Sequence, residues 1–170
     1  MHLPPRFLTC PIDLTIRKAS LTDTAIIADF NIRLAAETEH LHLDPACVQA
    51  GVDALLADPA KGIYFVAETN GNVVGQLMIT YEWSDWRNGN LWWIQSVYVK
   101  KEFRRKGIFR ALFQHLKSLA HGQKDVRSLR LYMHSENSNA RRSYESLGMC
   151  RTKYEVFEME FASDHPSGGG

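Results

Sequence analysis

The stretch VYVKKEFRRKGIFRAL, from Val97 to Leu112, decides the fold. It begins as an apolar strand, passes through a basic turn that contains Gly107, and continues as an amphipathic helix. A helix start leaves its first N–H groups unpaired and carries a partial positive charge, so this turn predicts a binding site for a pyrophosphate. Gly107 lets the backbone approach the phosphates closely.

The composition predicts one globular domain with a hydrophobic core. The chain has 170 residues, 45% of them hydrophobic, and a formal net charge of +1. This length suits a single domain. The near-neutral charge argues against nucleic acid as the main partner, since such proteins are usually basic overall.

The cysteines and the apolar runs bear on location and on metals. Cys10, Cys47 and Cys150 are widely spaced and form no C-x-x-C pair, which indicates reduced thiols, a cytoplasmic location and no metal site. No apolar run has the length of a signal peptide or a membrane span. We therefore expect a protein that is neither exported nor membrane-bound.

The hydrophobic spacing predicts an α/β (α+β) domain over residues 13–161. Residues 1–12 form an N-terminal extension and residues 162–170 a disordered tail in this prediction. Predicted helices run from Thr22-Asp23 to near His40, from Asp44-Pro45 to Asp58-Pro59, over 109–122 and over 139–147. Predicted strands cover residues 14–17, 64–68, 73–80, 91–99, 128–133 and 152–161. Asn70-Gly71 indicates a hairpin, so the sheet begins as an antiparallel one.

Two sequence blocks resemble motifs of the GCN5-related N-acetyltransferases (GNAT family), over roughly residues 13–161. RRKGIF at 104–109 resembles the cofactor signature R/Q-x-x-G-x-G/A, with Phe109 in place of a small residue. NSNARRSYESLGM at 137–149 resembles the block N-x-x-A-x-x-x-Y-x-x-x-G-F/M. Two matches at this separation are more specific than either alone. The resemblance implies a mixed, mostly antiparallel central sheet of about seven strands, flanked by four helices, with a splayed central strand pair.

The resemblance also implies acetyl-CoA as the cofactor and assigns the residues that would bind it. The backbone of Val97, Tyr98 and Val99 would bind the pantetheine arm and the thioester carbonyl where the central strand splays. The pyrophosphate would be held by amides of the turn and by its basic side chains, a set made of Arg104, Arg105, Lys106, Gly107, Ile108, Phe109 and Arg110. Phe109 would either crowd the pyrophosphate or repack the helix against the sheet.

The second block supplies the remaining cofactor contacts and the general acid implied by the resemblance. Asn137 would fix the pantetheine or adenosine side. Tyr144, one helical turn beyond Ala140, would lie near the sulfur and donate its phenolic proton to the leaving thiolate.

The general base must accept a proton from the acceptor amine, which is normally protonated. Glu82, at a strand end beside the expected acetyl site, is the predicted base, and an ordinary surface carboxylate is the alternative. Asp85, Glu37 and Glu39 would assist through water. The hairpin at 81–86 loosely resembles the polyamine and thialysine acetyltransferase branch, where a glutamate on the central strand serves. Gln95 stands there in this chain, and glutamine can position a water but cannot act as a base.

Aromatic and acidic residues predict the acceptor site. Trp83 and Trp86 lie next to carboxylates and would form a wall that attracts an ammonium group. The alternative is packing, because Trp92 and Trp93 must point to opposite faces of a strand. The predicted acceptor residues are Glu37, Tyr81, Trp83, Asp85, Trp86 and Gln95.

We therefore expect an acetyl-CoA-dependent N-acetyltransferase that works by direct attack in a ternary complex. The acceptor would be a small-molecule amine, preferably a small cationic one, or an exposed amino group of a peptide. The alternative is a CoA-binding regulatory or interaction module with little catalysis, which Phe109 and Gln95 motivate. A nucleic-acid-binding domain is disfavoured by the net charge. Exposed aromatic strands also predict a homodimer.

Overall fold

The computed structural model describes residues 13–159 and residue 161. This part of the chain contains five strands, four α-helices and two short 3-10 helices, Leu21–Asp23 and Lys101–Phe103. The strands are β1 (Thr15–Lys18), β2 (Ile63–Thr69), β3 (Asn72–Ser84), β4 (Gly89–Val99) and β5 (Val126–Arg130). The helices are α1 (Thr24–Thr38), α2 (Pro45–Ala57), α3 (Ile108–Gly122) and α4 (Ser138–Ser146). The predicted extension at 1–12 and the predicted tail at 162–170 lie outside the described residues.

The five strands form one mixed sheet in the order β1-β2-β3-β4-β5. The first three pairings are antiparallel and the β4–β5 pairing is parallel. Helices α1 and α2 cover one face, where Ile27 and Val52 pack with Val66. Helix α3 covers the other face, where Leu112 and Leu116 pack in the larger core. The predicted α/β class and mostly antiparallel sheet are confirmed.

Local sequence signals explain where the first elements begin and turn. Asp44 caps α2 by accepting a hydrogen bond from the Ala46 amide at 3.1 Å, and Pro45 occupies the first helical position. Asn70 and Gly71 both have positive φ, 50° and 71°, as the hairpin between β2 and β3 requires. The predicted second helix and first hairpin are therefore confirmed.

A bulge and a splay interrupt the regular sheet in the middle of β4. Ser96 and Val97 of β4 together lie opposite the single residue Leu77 of β3, and Ser96 has a φ of 49°. On its other side, β4 pairs with β5 only as far as Trp93, opposite Arg130. Residues 94–99 therefore have no strand partner on that edge in the described part of the chain, which confirms the predicted splayed strand pair.

The sheet differs from the prediction at its end. Residues 152–159 and 161 form neither helix nor strand, so the predicted last strand at 152–161 is wrong within the described residues. The described sheet has five strands instead of about seven. Tyr154, Val156, Phe157, Met159 and Phe161 are each more than 70% exposed. An alternating apolar pattern forms a strand only where a neighbour supplies hydrogen bonds, and no described strand does so here.

Among the described helices, none is both long enough and apolar enough to span a membrane.

Candidate active site

The turn before α3 contains two residues with a left-handed backbone. Arg104 is extended, with a φ of −66° and a ψ of 153°, whereas Arg105 has a φ of 62° and Gly107, the residue before α3, of 82°. Successive backbone N–H groups in such turns form concavities that bind anions. The first N–H groups of α3 also lack a partner within the helix. Together they form a site suited to an anion at the start of α3.

A cavity of about 250 Å³ lies between this turn and α4. Its walls include the turn residues 104–105 and 107–110, and Ser143, Ser146 and Leu147 on the other side. In the described part of the chain no carboxylate lines this cavity, whereas Arg104, Arg105 and Arg110 do. The cavity is therefore positively charged, as a site for phosphate groups must be.

Phe109, the departure from the cofactor signature, packs between the two helices. Its ring lies edge-on to Tyr144 with 5.6 Å between centroids, and 6.2 Å from the ring of Phe113. The side chain thus joins α3 to α4. Phe109 also lines the cavity, so crowding of the pyrophosphate and repacking of the helix both stay predictions.

Tyr144 lies in the last turn of α4, half-buried against Phe109. Burial raises the pKa of its phenol above the ordinary value of 10.0. The group is therefore protonated at neutral pH and able to donate a proton.

The spacing of the second block is that of a short helix with its start and stop signals. Asn137 caps α4, because its Oδ1 accepts a hydrogen bond from the Ala140 amide at 3.0 Å. Gly148, with a φ of 89°, ends the helix. The capping bond between Asn137 and Ala140 and the helix end at Gly148 thus fix the position of Tyr144 beside α3. This structural role of Asn137 does not depend on a contact with a cofactor.

The free edge of β4 carries the three residues predicted to bind the pantetheine arm. The ring of Tyr98 is buried against Phe30, with centroids 5.0 Å apart, so this side chain points toward α1. The backbone of Val97, Tyr98 and Val99 borders the gap left by β5. This arrangement agrees with a role for their backbone groups rather than their side chains.

Arg104, a predicted cofactor residue, and Glu37, a predicted acceptor residue, form an ion pair that was not predicted from the sequence. Nη2 of Arg104 donates to Oε2 of Glu37 at 2.7 Å, and its Nε donates to the Val99 carbonyl at 2.8 Å. Burial raises the pKa of Glu37, but hydrogen bonds from Arg104 and Tyr98 outweigh it, and the net pKa is lowered. Glu37 therefore links α1 to the phosphate turn and to Tyr98 of β4.

The basic side chains of the turn differ in how far they are engaged. Arg105, Lys106 and Arg110 are exposed and form no ion pair with other described residues. Arg104, by contrast, is engaged with Glu37. The side chains available to phosphate are therefore those of Arg105, Lys106 and Arg110.

The predicted aromatic wall around a cation is not assembled in the described structure. Trp83 and Trp86 are 61% and 90% exposed at the end of the β3–β4 hairpin. Tyr81 packs edge-on against Trp92, with centroids 6.3 Å apart. Because strand residues alternate, Glu82 faces away from Tyr81 and Trp83. Asp85 accepts a hydrogen bond from the Trp86 amide and is otherwise exposed.

Glu82 belongs instead to a cluster that joins three strands. Its Oε2 accepts a hydrogen bond from Trp93 Nε1 at 2.5 Å and lies 3.3 Å from Nη1 of Arg130. The guanidinium of Arg130 stacks over the Trp93 ring at 5.7 Å. Trp93 and Trp92 face opposite sides of the sheet, as the alternation predicts, with Trp92 in the core.

Gln95 lies two residues beyond Trp93, where β4 and β5 separate. Its Nε2 donates to Thr80 Oγ1 at 2.6 Å, and its Oε1 accepts from the Tyr132 hydroxyl at 3.4 Å. Sequence reasoning missed Thr80, Arg130 and Tyr132. No motif marks them, and only the parallel register of β5 beside β4 brings Arg130 and Tyr132 to this face.

Comparisons with known proteins agree with this geometry. The family model "Acetyltransferase (GNAT) family" matches residues 30–149. No curated protein matches the chain. A crystal structure of a possible acetyltransferase from Clostridium difficile 630 is 49% identical, with a TM-score of 0.84. The match covers 88% of this chain and 99% of that one.

Two more distant structures are similar in fold. One is a predicted acetyltransferase with acetyl-CoA from Clostridium acetobutylicum, 18% identical with a TM-score of 0.71, covering 86% of this chain and 96% of that chain. The other is an aminoglycoside acetyltransferase from an uncultured soil metagenomic sample, in complex with sisomicin. It is 17% identical with a TM-score of 0.69, covering 88% and 97%. Since the family model spans most of the chain, and the structure that is 49% identical covers 88% of it, this chain belongs to the GNAT family and is an N-acetyltransferase that uses acetyl-CoA.

Proposed function

We propose that the protein transfers the acetyl group of acetyl-CoA directly to a primary amine in a ternary complex. The observation that carries this proposal is the position of Tyr144 beside the start of α3, on a helix that borders the basic cavity. Neither of the described cysteines, Cys47 and Cys150, lines this cavity, which supports transfer without an acyl-cysteine. The amine nitrogen attacks the thioester carbon, the C–S bond breaks, and Tyr144 protonates the departing thiolate.

The cofactor roles follow from the turn and from the free edge of β4. Amides from Arg105 to Arg110 bind the pyrophosphate, and the side chains of Arg105, Lys106 and Arg110 add charge-assisted contacts. The backbone of residues 97–99 binds the pantetheine arm and polarises the thioester carbonyl.

Glu82 is the proposed base, and its position indicates that it acts through water. Its carboxylate bonds to the indole of Trp93, which is two residues from Gln95, or about 7 Å of extended strand. The carboxylate therefore reaches an amine in the splayed site through a short chain of waters. Gln95, held by Thr80 and Tyr132, orients one of these waters.

We further propose a small cationic amine as the acceptor. The rings of Trp93 and Tyr132, with centroids 6.1 Å apart, lie on the face that holds Glu82, and aromatic faces and a carboxylate both attract ammonium groups. Arg130 offsets part of this negative charge, so an exposed amino group of a peptide belongs in the same test. Similarity to the polyamine and thialysine branch, a cytoplasmic location and a homodimer stay predictions.

The decisive experiment measures free-thiol release from acetyl-CoA against a panel of amines. The panel includes diamines, polyamines, an aminoglycoside, neutral amino acid amides and peptides with a free amino terminus. We expect release with one amine class, fastest with the cationic small amines, and a sharp loss of kcat in Tyr144→Phe with little change in the affinity for acetyl-CoA. Equal rates with charged and neutral amines would refute the cationic acceptor. An unchanged kcat in Tyr144→Phe would remove the proposed general acid.

A further inference from the structure

Gln76 is a fully buried polar residue in the middle of β3, opposite the bulge of β4. Its Nε2 donates to Oδ1 of Asn31 at 2.7 Å and to the carbonyl of Ser96 at 3.2 Å. Among the described residues, its Oε1 has no hydrogen-bond partner. An unpaired buried carbonyl oxygen is unfavourable for stability. The amide therefore needs an explanation other than packing.

The carbonyl of Ser96 sets the direction of this small network. A carbonyl only accepts hydrogen bonds, so the NH₂ group of Gln76 must face it. With both N–H groups of Gln76 used, Asn31 must accept from it with Oδ1 and is left to donate through Nδ2, which it does to the hydroxyl of Tyr64 at 2.9 Å. Reversing the Gln76 amide would bring two acceptors face to face at the bulge.

Ser96 is the residue of the bulge that needs holding. Its φ of 49° lies in the left-handed region, which is uncommon for a residue with a side chain. Such conformations persist where the surrounding structure fixes them. Of the side chains in the described structure, Gln76 is the one that bonds to the Ser96 backbone.

The bulge also decides where the free edge of β4 points. Downstream of Ser96 the backbone of Val97, Tyr98 and Val99 borders the gap beside β5. A lost bulge would restore the regular register and shift this backbone by one residue, which turns each of its groups to the opposite side.

We propose that Gln76 is a positioning residue of the acetyl-CoA site. It touches neither cofactor nor acceptor, and acts by holding the Ser96 carbonyl, so that the backbone of residues 97–99 faces the thioester. This inference rests on the proposed contact between that backbone and the pantetheine arm.

The test compares Gln76→Met with Tyr64→Phe. Both variants remove hydrogen bonds of the same buried network, but only the first removes the bond to Ser96. Measurements are the calorimetric Kd for acetyl-CoA, kcat, KM for each substrate, thermal unfolding, and the amide NMR shifts of residues 96–99. We expect Gln76→Met to weaken acetyl-CoA binding about tenfold, in line with a lost buried hydrogen bond. Its amide shifts at residues 96–99 should also change. Tyr64→Phe should leave the Kd for acetyl-CoA within twofold of the unmodified value and the amide shifts at residues 96–99 unchanged.

Gln76→Glu supplies the second arm, which also serves if the methionine variant fails to fold. A protonated carboxyl can donate one hydrogen bond to Ser96, and an ionised one can donate none. Acetyl-CoA affinity of this variant, relative to the unmodified protein, should therefore improve as pH falls from 8 to 6. A flat ratio would overturn the inference.

The NMR readout separates this inference from the proposed function. Unchanged amide shifts at 96–99 in Gln76→Met would overturn the positioning role even in an active enzyme. Shifts that change while acetyl-CoA affinity stays the same would also overturn it. An unmodified protein that binds acetyl-CoA but acetylates no amine would refute the proposed function, and the binding measurements would still decide the role of Gln76.

Discussion

The proposed cofactor side and the proposed acceptor side of this molecule obtain their binding groups in different ways. On the cofactor side, the turn from Arg104 to Gly107 and the start of α3 supply backbone amides and basic side chains from one continuous stretch. On the acceptor side, Glu82, Trp93 and Arg130 come from three different strands. A continuous stretch leaves a motif in the sequence, whereas a cross-strand cluster depends on register, which no local pattern records.

The largest expected effect lies on the acceptor side. Glu82→Gln should lower kcat/KM for the amine about 100-fold at pH 7, since general base catalysis typically contributes at least that much. The loss should shrink as pH approaches the amine's own pKa of about 10, because the amine then loses its proton to solvent. Affinity for acetyl-CoA should not change. The measurement is the pH–rate profile of both proteins.

Asp85→Asn is the matched control for this change. Asp85 is a carboxylate of the same hairpin region, but it is exposed and bonds only to the neighbouring Trp86 amide. Its substitution should leave the profile unchanged. If the pH–rate profile of Glu82→Gln ran parallel to that of the unmodified protein, the general base would be a residue other than Glu82.

The second effect tests the charge of the cofactor side. Arg105→Ala combined with Arg110→Ala should weaken acetyl-CoA binding about 30-fold, since each charge-assisted hydrogen bond contributes on the order of 1 kcal/mol at an exposed site. The difference should narrow at high salt, which screens exposed charges. Lys117→Ala combined with Lys124→Ala removes the same charge from outside the cavity lining and should leave the Kd unchanged. Equal losses in both double variants would mean that only the net charge matters.

The third effect separates backbone shape from charge on the same side. Gly107→Ala places a side chain at a φ of 82°, with open space around the new methyl group. The conformational penalty of about 1 kcal/mol should distort the turn and weaken acetyl-CoA binding about fivefold. Gly71→Ala is the control, because Gly71 has a φ of 71° and equally open space in the first hairpin. Both variants should lose similar thermal stability, and only Gly107→Ala should lose affinity.

Much of the cofactor side was predictable, and the reasons are local. Gly107, the basic turn and the capped α4 lie within short spans, and their spacing predicted a phosphate site at the place where the structure has a cavity lined by Arg104, Arg105 and Arg110. The engagement of Arg104 was not predictable, because its partner Glu37 lies 67 positions away. Likewise, the alternating pattern of residues 152–161 predicts a strand, but a strand also needs a neighbouring strand whose backbone groups are free to form hydrogen bonds with it.

The acceptor side was predictable only in part. The alternation of side chains along a strand correctly predicted that Trp92 and Trp93 face opposite sides of the sheet. The same alternation places Glu82 and Trp83 on opposite faces of β3, although their nearness in sequence suggested one shared wall. The partners that Glu82 does contact became apparent only with the pairing of β4 and β5, because Arg130 follows it by 48 positions.

The smallest effect concerns the contact that joins α1 to the phosphate turn. Glu37→Gln removes the ion pair with Arg104 and should lower the free energy of unfolding by about 0.5 kcal/mol at pH 7, the range of exposed ion pairs. The folded-state pKa of Glu37 lies below its ordinary value of 4.5, so this stabilisation is present above that value and is lost as pH falls through the folded pKa. Urea unfolding at pH 7 and pH 3 measures the difference, which should be smaller at the lower pH.

Asp29→Asn breaks the exposed pair of Asp29 with Arg33 on the same helix and is the control. If Glu37 links the helix to the turn, only Glu37→Gln should also change acetyl-CoA affinity, because it frees Arg104 to move. Identical affinities in the two variants would show that the turn keeps its shape without α1.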